Sequence, residues 1–247
     1  MPKIKKKILN IFFILLLGGL GGILADQFIL PRLAGIPIFS NIEFIQQAGN
    51  GTVIINPTKE IIITENIAIE EAIDKITPRL VVVHSYWNDS LISQGTGFVV
   101  TSDGLIITAN DLISTKANKY IIFRNNHSAD AQIIKRDSDN NLALLKIKET
   151  NLPVAVFADL GELKLGQGII LVGIELIEGG LNRFVNLGIV RSIVSGVLRV
   201  DLTEESELAN GSPLINIKGE VIGLNLVNKS GLFRIIPSSQ IKTFISL

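Results

Sequence analysis

The chain has 247 residues and is electrically balanced, with 23 Lys and Arg against 23 Asp and Glu. This balance gives no reason to expect a nucleic acid or another polyanion as a partner. The absence of cysteine excludes disulfides, thiolate catalysis and thiolate metal sites. The two histidines, His84 and His127, stand far apart in the sequence, so we expect neither a metal site nor a cofactor.

The first segment, residues 1–30, predicts a Lys-rich cytoplasmic start followed by a transmembrane signal-anchor. Residues 8–25 carry no charge and reach the lower end of the length that spans a bilayer. Two alternatives stay open: a signal peptide cleaved after Ala25, which the branched Ile23 disfavours, and a buried globular helix. The lysines in front favour a cytoplasmic N-terminus and an extracytoplasmic remainder, and they are Lys3, Lys5, Lys6 and Lys7.

Residues 31–77 are predicted to form a stalk or lead-in that ends in a short helix. Prolines and glycines interrupt its apolar pieces, and IPIFSNIEFI at 36–45 is too apolar for a solvated linker. In ENIAIEEAIDKITP, at 65–78, apolar residues recur at helical spacing until Pro78 ends the pattern. We therefore expect an amphipathic helix that leads into a domain at 78–247.

Short runs rich in Val, Ile and Leu alternate with turns from Pro78 onwards. About ten such runs, without a long helical pattern between them, predict an all-β domain that is an antiparallel barrel or sandwich. Glycines mark hairpin turns at 102–104 and 218–220. Ser238 or Ser239 is predicted to start a short C-terminal helix.

Three motifs resemble, in order and spacing, those of the HtrA-type trypsin-like serine proteases. They are GTGFVVTSDGLIITANDLI at 95–113, RDSDNNLALLKI at 136–147 and ELANGSPLINIKGEVIGLN at 207–225. The resemblance extends from about Pro78 to the C-terminus. It implies the trypsin-like (chymotrypsin) fold, in which an active-site cleft lies between two six-stranded β-barrels. Members of the family commonly carry a C-terminal PDZ domain, and we expect none here because the sequence ends at Leu247.

The resemblance also assigns the positions of the catalytic triad. Asp111, Asn141 and Asn210 stand where the family has His, Asp and Ser. The amide of Asn210 is not a nucleophile, and a carboxylate is a weaker base toward a hydroxyl than an imidazole. The oxyanion-hole positions correspond to Leu208, Ala209 and Asn210, with Leu208 in place of a family glycine. We therefore expect no functional catalytic residue.

Ser212 is the fallback nucleophile, two residues beyond Asn210. Pro213 follows it directly, and neither histidine is a ready base, since His84 reads as a strand residue and His127 as a solvated turn residue. A serine endopeptidase that uses Ser212 stays open as an alternative function. A purely structural envelope domain is a second alternative.

The framework motifs of the family are present, while the triad residues are not. This combination predicts a pseudoprotease that binds peptides or proteins. We expect a role in protein quality control. The family's cleft takes an extended peptide as an added β-strand, and this mode does not require a nucleophile. Expected partners are the cell membrane through residues 8–25, a peptide or unfolded protein in the cleft, and active HtrA-type homologues or further copies of this chain. Phe39 and Phe44 resemble the N-terminal aromatic residues through which family members form trimers, and burial in the lead-in explains them equally well.

Overall fold

A computed structural model describes residues 2–29, 32, 65–125, 127–178, 180–194, 196–203, 209–227 and 233–246. The chain divides into two compact units, Met1–Ile62 and Ile63–Leu247. The division falls within the predicted lead-in. Residues 33–64 of that lead-in, with Phe39 and Phe44, lie outside the described residues.

Helix α1 spans Pro2–Leu24 and continues into a π-helical turn at Ala25–Ile29. Among the residues that the structure describes, no helix combines the length and the apolar character that a membrane crossing requires. The helix nevertheless leaves its large apolar side chains exposed. Between Leu9 and Leu24 they are 44% to 70% exposed.

The predicted amphipathic helix of the second unit is confirmed as α2, Glu65–Ile76. Ala72 and Ile76 lie on its buried face, and both are fully buried in the core of the sheets. A short 3-10 turn, Thr77–Arg79, follows α2, because Pro78 has no N–H to continue the helical hydrogen bonds. The first strand begins directly after this turn, at Leu80.

Six strands form the first barrel, which is closed because its first strand pairs with both β2 and β4. The hydrogen-bonded order is β1-β2-β3-β6-β5-β4. Alternate residues of these strands, such as Val81, Val83 and Leu145, fill the barrel interior. The strands are β1 Leu80–Trp87, β2 Ser90–Val99, β3 Leu105–Ala109, β4 Lys119–Arg124, β5 His127–Asp137 and β6 Leu142–Ile147.

Six further strands form a second sheet in the order β12-β11-β10-β7-β8-β9. Its edge strands β9 and β12 lie beside each other, but no hydrogen-bonded ladder joins them among the described residues. Helix α3, Ser238–Ile245, follows β12 and begins at a predicted residue. The strands are β7 Gly168–Ile177, β8 Gly180–Val194, β9 Val197–Leu202, β10 Pro213–Ile215, β11 Val221–Val227 and β12 Phe233–Pro237.

The prediction of an all-β domain built from two six-stranded barrels is confirmed, although the described ladders close only the first barrel. About ten apolar runs became twelve described strands, since two of the runs each contain a hairpin. Those hairpins turn at the predicted 102–104 and 218–220. Sequence reasoning missed the first half of β2, Ser90–Gln94, because this part is largely exposed and polar.

The first barrel and the second sheet share one apolar core, and the side chain of Thr96 on β2 connects them by hydrogen bonds. Phe98, Leu144 and Val172 belong to this shared core, together with side chains from α2 and α3. The fully buried Thr96 hydroxyl donates a hydrogen bond to the Ile174 carbonyl and accepts one from the Ile174 N–H, both at 3.0 Å. One side chain of the first barrel therefore satisfies both backbone groups of a residue in the second.

Replacing Thr96 with the isosteric Val should destabilise the fold. The change removes both hydrogen bonds and leaves two buried backbone groups of Ile174 unpaired, at about 1–3 kcal/mol each. We expect the free energy of unfolding to fall by about 2–4 kcal/mol, measured by urea denaturation of the full chain in mild detergent. Thr243→Val is the control, since this exposed α3 hydroxyl bonds only to the Ser239 carbonyl. Equal losses in both variants would contradict the role of Thr96.

Candidate functional site

Three loops bring the triad-position residues Asp111, Asn141 and Asn210 into one hydrogen-bonded chain. Asp111 lies in the 3-10 turn Asn110–Leu112 after β3, and Asn141 directly precedes β6. The Asn141 side-chain oxygen accepts from the Asp111 N–H at 2.9 Å. An Asp111 carboxylate oxygen accepts from the Asn210 side-chain NH₂ at 2.9 Å. The sequence positions taken from the resemblance thus meet in space.

Asn210 uses its whole amide within the fold. Its Nδ2 donates to Asp111, and its Oδ1 accepts from the Val227 N–H at 3.1 Å. Its backbone carbonyl accepts from the Thr96 N–H at 3.0 Å. The side chain is 7% exposed and connects the first barrel with the end of β11. In this structure, the residue at the nucleophile position acts as a cross-link.

Asn141 occupies its position because the turn before it is held by Asp137. The Asp137 carboxylate accepts hydrogen bonds from the Asn140 side chain and from the backbone N–H groups of Asn140 and Asp139, at 2.8 to 3.0 Å. The Asn140 side chain, followed by these N–H groups, holds the pKa of Asp137 below its ordinary value. Asn141 then adopts a left-handed φ of 56°, which Asn tolerates better than most residues.

Three side chains that the sequence analysis did not assign to the site hold the loop of Asp111 in place through hydrogen bonds. Arg136 donates to the Asn110 side chain at 2.5 Å and to the Ile113 carbonyl at 2.7 Å. The hydroxyls of Ser85 and Ser93 both donate to the Leu112 carbonyl, at 2.6 and 2.5 Å. Arg136 opens the motif RDSDNNLALLKI, but only the tertiary structure shows which loop it binds.

The predicted oxyanion-hole positions are partly described. Leu208 lies outside the described residues. The carbonyl of the buried Ala209 accepts from the Asn225 side chain at 3.0 Å and from the Ser212 N–H at 3.1 Å. Gly211 completes the turn at φ +80°, and a Cβ there would approach the Thr96 carbonyl to 2.1 Å. Only glycine therefore allows the turn to pack this closely on β2.

Ser212, the fallback nucleophile, is fully buried. Its hydroxyl oxygen has no hydrogen-bond partner in the described part of the chain. A general base must lie within hydrogen-bond reach of the hydroxyl that it deprotonates. Ser212 is therefore buried next to the turn of Asn210 in the chain, and no described base is bonded to its hydroxyl.

Neither histidine belongs to the hydrogen-bonded chain of the site. His84 is a buried β1 residue whose Nδ1 and Nε2 engage the Tyr86 hydroxyl at 2.9 Å and the Gln94 side chain at 2.6 Å. Burial lowers the pKa of His84, and the hydrogen bond to Gln94 partly opposes this shift. His127 is the exposed first residue of β5. The ring of His84 is therefore engaged within the first barrel, and that of His127 lies at the exposed start of β5.

No group of three or more His, Asp or Glu side chains within the described ranges could hold a metal ion. The side chains of Asp111, Asn141 and Asn210 supply two amides and one carboxylate, with backbone groups around them. Such a set can orient a carbonyl or an N–H group by hydrogen bonding, but it contains no strong nucleophile.

Replacing Asn210 with Ser, the residue of active family members, should destabilise this chain. A short hydroxyl cannot reach both Asp111 and the Val227 N–H, so a buried donor is left unpaired. We expect the free energy of unfolding to fall by about 1–3 kcal/mol in urea titrations. Asn182→Ser is the matched control, because Asn182 makes one exposed hydrogen bond, to Glu175 at 2.9 Å. A variant at Asn210 that is as stable as the control would refute the cross-link.

Comparisons with known proteins agree with this geometry. The family described as "Trypsin-like peptidase domain" matches residues 95–224, more than half of the chain. A serine protease HTRA1A of Danio rerio is 29% identical over 222 residues, which is 82% of this chain and 46% of that protein. A probable periplasmic serine endoprotease, DegP-like, of Chlamydia pneumoniae is 32% identical over 146 residues, which is 56% of this chain and 29% of that protein.

A solved structure supports the fold alone. The serine endoprotease from Yersinia pestis superposes with a TM-score of 0.61 at 23% identity, over 71% of this chain and 64% of that one. The chain spans less than half the length of these two curated relatives. On the matched family, the relatives and the two six-stranded layers together, the chain belongs to the trypsin-like peptidase family and is of the HtrA type.

Proposed function

We propose that this protein is a membrane-anchored, extracytoplasmic HtrA-type homologue that has lost peptidase activity and binds extended peptides or unfolded proteins. One observation carries the proposal. The amide at the nucleophile position is bonded at both ends, to Asp111 at 2.9 Å and to the Val227 N–H at 3.1 Å. A residue with this structural role leaves no place for a nucleophile at the same position.

The chemistry of the neighbouring groups supports the loss of activity. Covalent hydrolysis needs a nucleophile that is bonded to a general base, and the base is oriented by a third group. Here Asp111 accepts a hydrogen bond from an amide, and Asn141 binds the Asp111 backbone N–H instead of its side chain. Ser212 is fully buried and is not bonded to either histidine. A nucleophile bonded to a base, a general base and a group that orients the base are therefore all missing among these residues.

The backbone framework supports a retained binding function. An extended peptide can bind to a cleft through main-chain hydrogen bonds, with side-chain pockets that add specificity. Thr96, Asn210 and Val227 fix the walls on the two barrels relative to each other through 3.0 and 3.1 Å hydrogen bonds. A rigid cleft loses less entropy when it binds, so this cross-link favours affinity for a peptide.

The activity test uses the full chain in mild detergent. We expect no covalent labelling by a fluorophosphonate probe and no cleavage of fluorescent unfolded casein. In a binding assay, we expect the protein to bind the same casein. Ser212→Ala is the control for the remaining hydroxyl. Labelling or cleavage that is lost in Ser212→Ala would overturn the proposal in favour of a serine endopeptidase.

The same preparation tests binding in the cleft. Asp111 is exposed at the site, so Asp111→Arg should weaken casein binding, while Asp130→Arg on β5 should not. Thermal melts of both variants show whether they are folded. A chain that binds no casein at all would favour a purely structural envelope domain.

Anchoring and location are proposed from the N-terminal sequence and from the exposed side chains of α1. The stretch 8–25 carries no charge, and the large apolar side chains described between Leu9 and Leu24 are 44% to 70% exposed. Four lysines before it favour an N-terminus in the cytoplasm. The word "periplasmic" in the description of the Chlamydia pneumoniae relative agrees with a domain on the outer side of the membrane.

Two charges in the centre of α1 should abolish anchoring. A carboxylate at the centre of a membrane helix costs about 2.5–3.5 kcal/mol. We expect Leu15→Asp with Leu17→Asp to move the protein from the carbonate-washed membrane fraction to the supernatant. Val194→Asp, an exposed surface position in β8, should leave the protein in the membrane. A wild-type protein whose N-terminus begins at Asp26 would instead show a cleaved signal peptide.

A further inference from the structure

A pocket of about 630 Å³ opens at the seam of the second sheet, where the edge strands β9 and β12 lie beside each other. It shares no residue with the site of Asp111, Asn141 and Asn210. Three arginines from three strands line it. We call it the arginine pocket, and its polar lining consists of Arg191, Arg199, Arg234, Ser192 and Gln240.

The strands place these arginines together through a bulge and through register. The pairing of β8 with β9 shifts between Val190 and Ser192, so Arg191 occupies a β-bulge. A bulge re-aims the side chain of the extra residue. Arg199 pairs directly with Ser192, and Arg234 comes from β12 on the other side of the seam. All three arginines are exposed.

The charge of the pocket is not compensated by its lining. No Asp or Glu lines it, although the whole chain carries as many acids as bases. Among the described residues, the ion pairs lie elsewhere, and none involves Arg191, Arg199 or Arg234. A concave surface that is lined by one sign of charge raises the local concentration of ions of the opposite sign. The charge of the lining therefore favours an anion as the ligand.

The rest of the lining indicates the class of anion. Val197, Phe233 and Pro237 form apolar walls between the charged groups. A small inorganic anion would leave these walls in water, while a peptide with alternating acidic and apolar side chains would use both kinds of surface. Guanidinium groups bind carboxylates through two parallel hydrogen bonds.

We propose that the arginine pocket is a second binding site, which takes an acidic peptide segment whose carboxylates pair with Arg191, Arg199 and Arg234. Neighbouring apolar side chains of the peptide pack on Phe233 and Pro237. This site requires neither a nucleophile nor the cleft, so it stands independently of the proposed loss of activity.

The test measures fluorescence anisotropy of a labelled peptide, in which Glu alternates with Leu, against the full chain in nonionic detergent. Loss of a charged hydrogen bond weakens binding by about tenfold or more. We expect this loss for Arg199→Gln and again for Arg234→Gln. Arg183→Gln, an exposed arginine of β8 outside the pocket, should bind as the unmodified chain does. Binding should weaken as salt is added.

Four results would overturn the proposal. They are equal binding of a peptide with Gln in place of Glu, an equal loss in Arg183→Gln, no binding of the acidic peptide, and saturable binding of inorganic phosphate or anionic lipid vesicles without binding of the peptide. Asp111→Arg separates this site from the cleft. It should reduce casein binding and leave the affinity for the acidic peptide unchanged.

Discussion

The hydrogen bonds between β2 and the turn at Asn210 join the two barrels of this protein. Thr96 donates its N–H to the Asn210 carbonyl, and its hydroxyl satisfies both backbone groups of Ile174. Asn210 in turn bonds to Asp111 and to Val227. Because Thr96, Ile174, Asn210 and Val227 are buried, the loss of a partner would leave a polar atom of these residues unpaired away from water. The relative position of the first barrel and the second sheet depends on this small network.

The same network bears on the proposed loss of peptidase activity. In an active serine protease, the nucleophile must keep its hydroxyl free for the substrate, so it cannot also serve as a structural tie. An Asn at that position can donate and accept at the same time, and here it does both. Under the proposed loss of activity, Asn210 supplies two hydrogen bonds that stabilise the turn in place of a reactive group, and Gly211 lets this turn approach β2 closely.

The second sheet has a separate consequence for binding. Its edge strands β9 and β12 are not joined by a described ladder, and the seam between them leaves room for the arginine pocket. The site of Asp111, Asn141 and Asn210 and the arginine pocket consist of different residues of one domain. A chain with balanced overall charge therefore presents one largely neutral polar site and one strongly basic site.

The sequence by itself determined the all-β class, helix α2 and the hairpin turns, because these follow from periodicity and turn residues. The resemblance of its motifs to those of the HtrA-type family assigned the positions of Asp111, Asn141 and Asn210. It also gave the reason to doubt catalysis, since the chemistry of an amide does not depend on the fold. Only the tertiary structure decided the partners of Asn210, the burial of Ser212, the support by Arg136, Ser85 and Ser93, and the convergence of three arginines at one seam. These depend on contacts between residues distant in sequence, which local patterns do not encode.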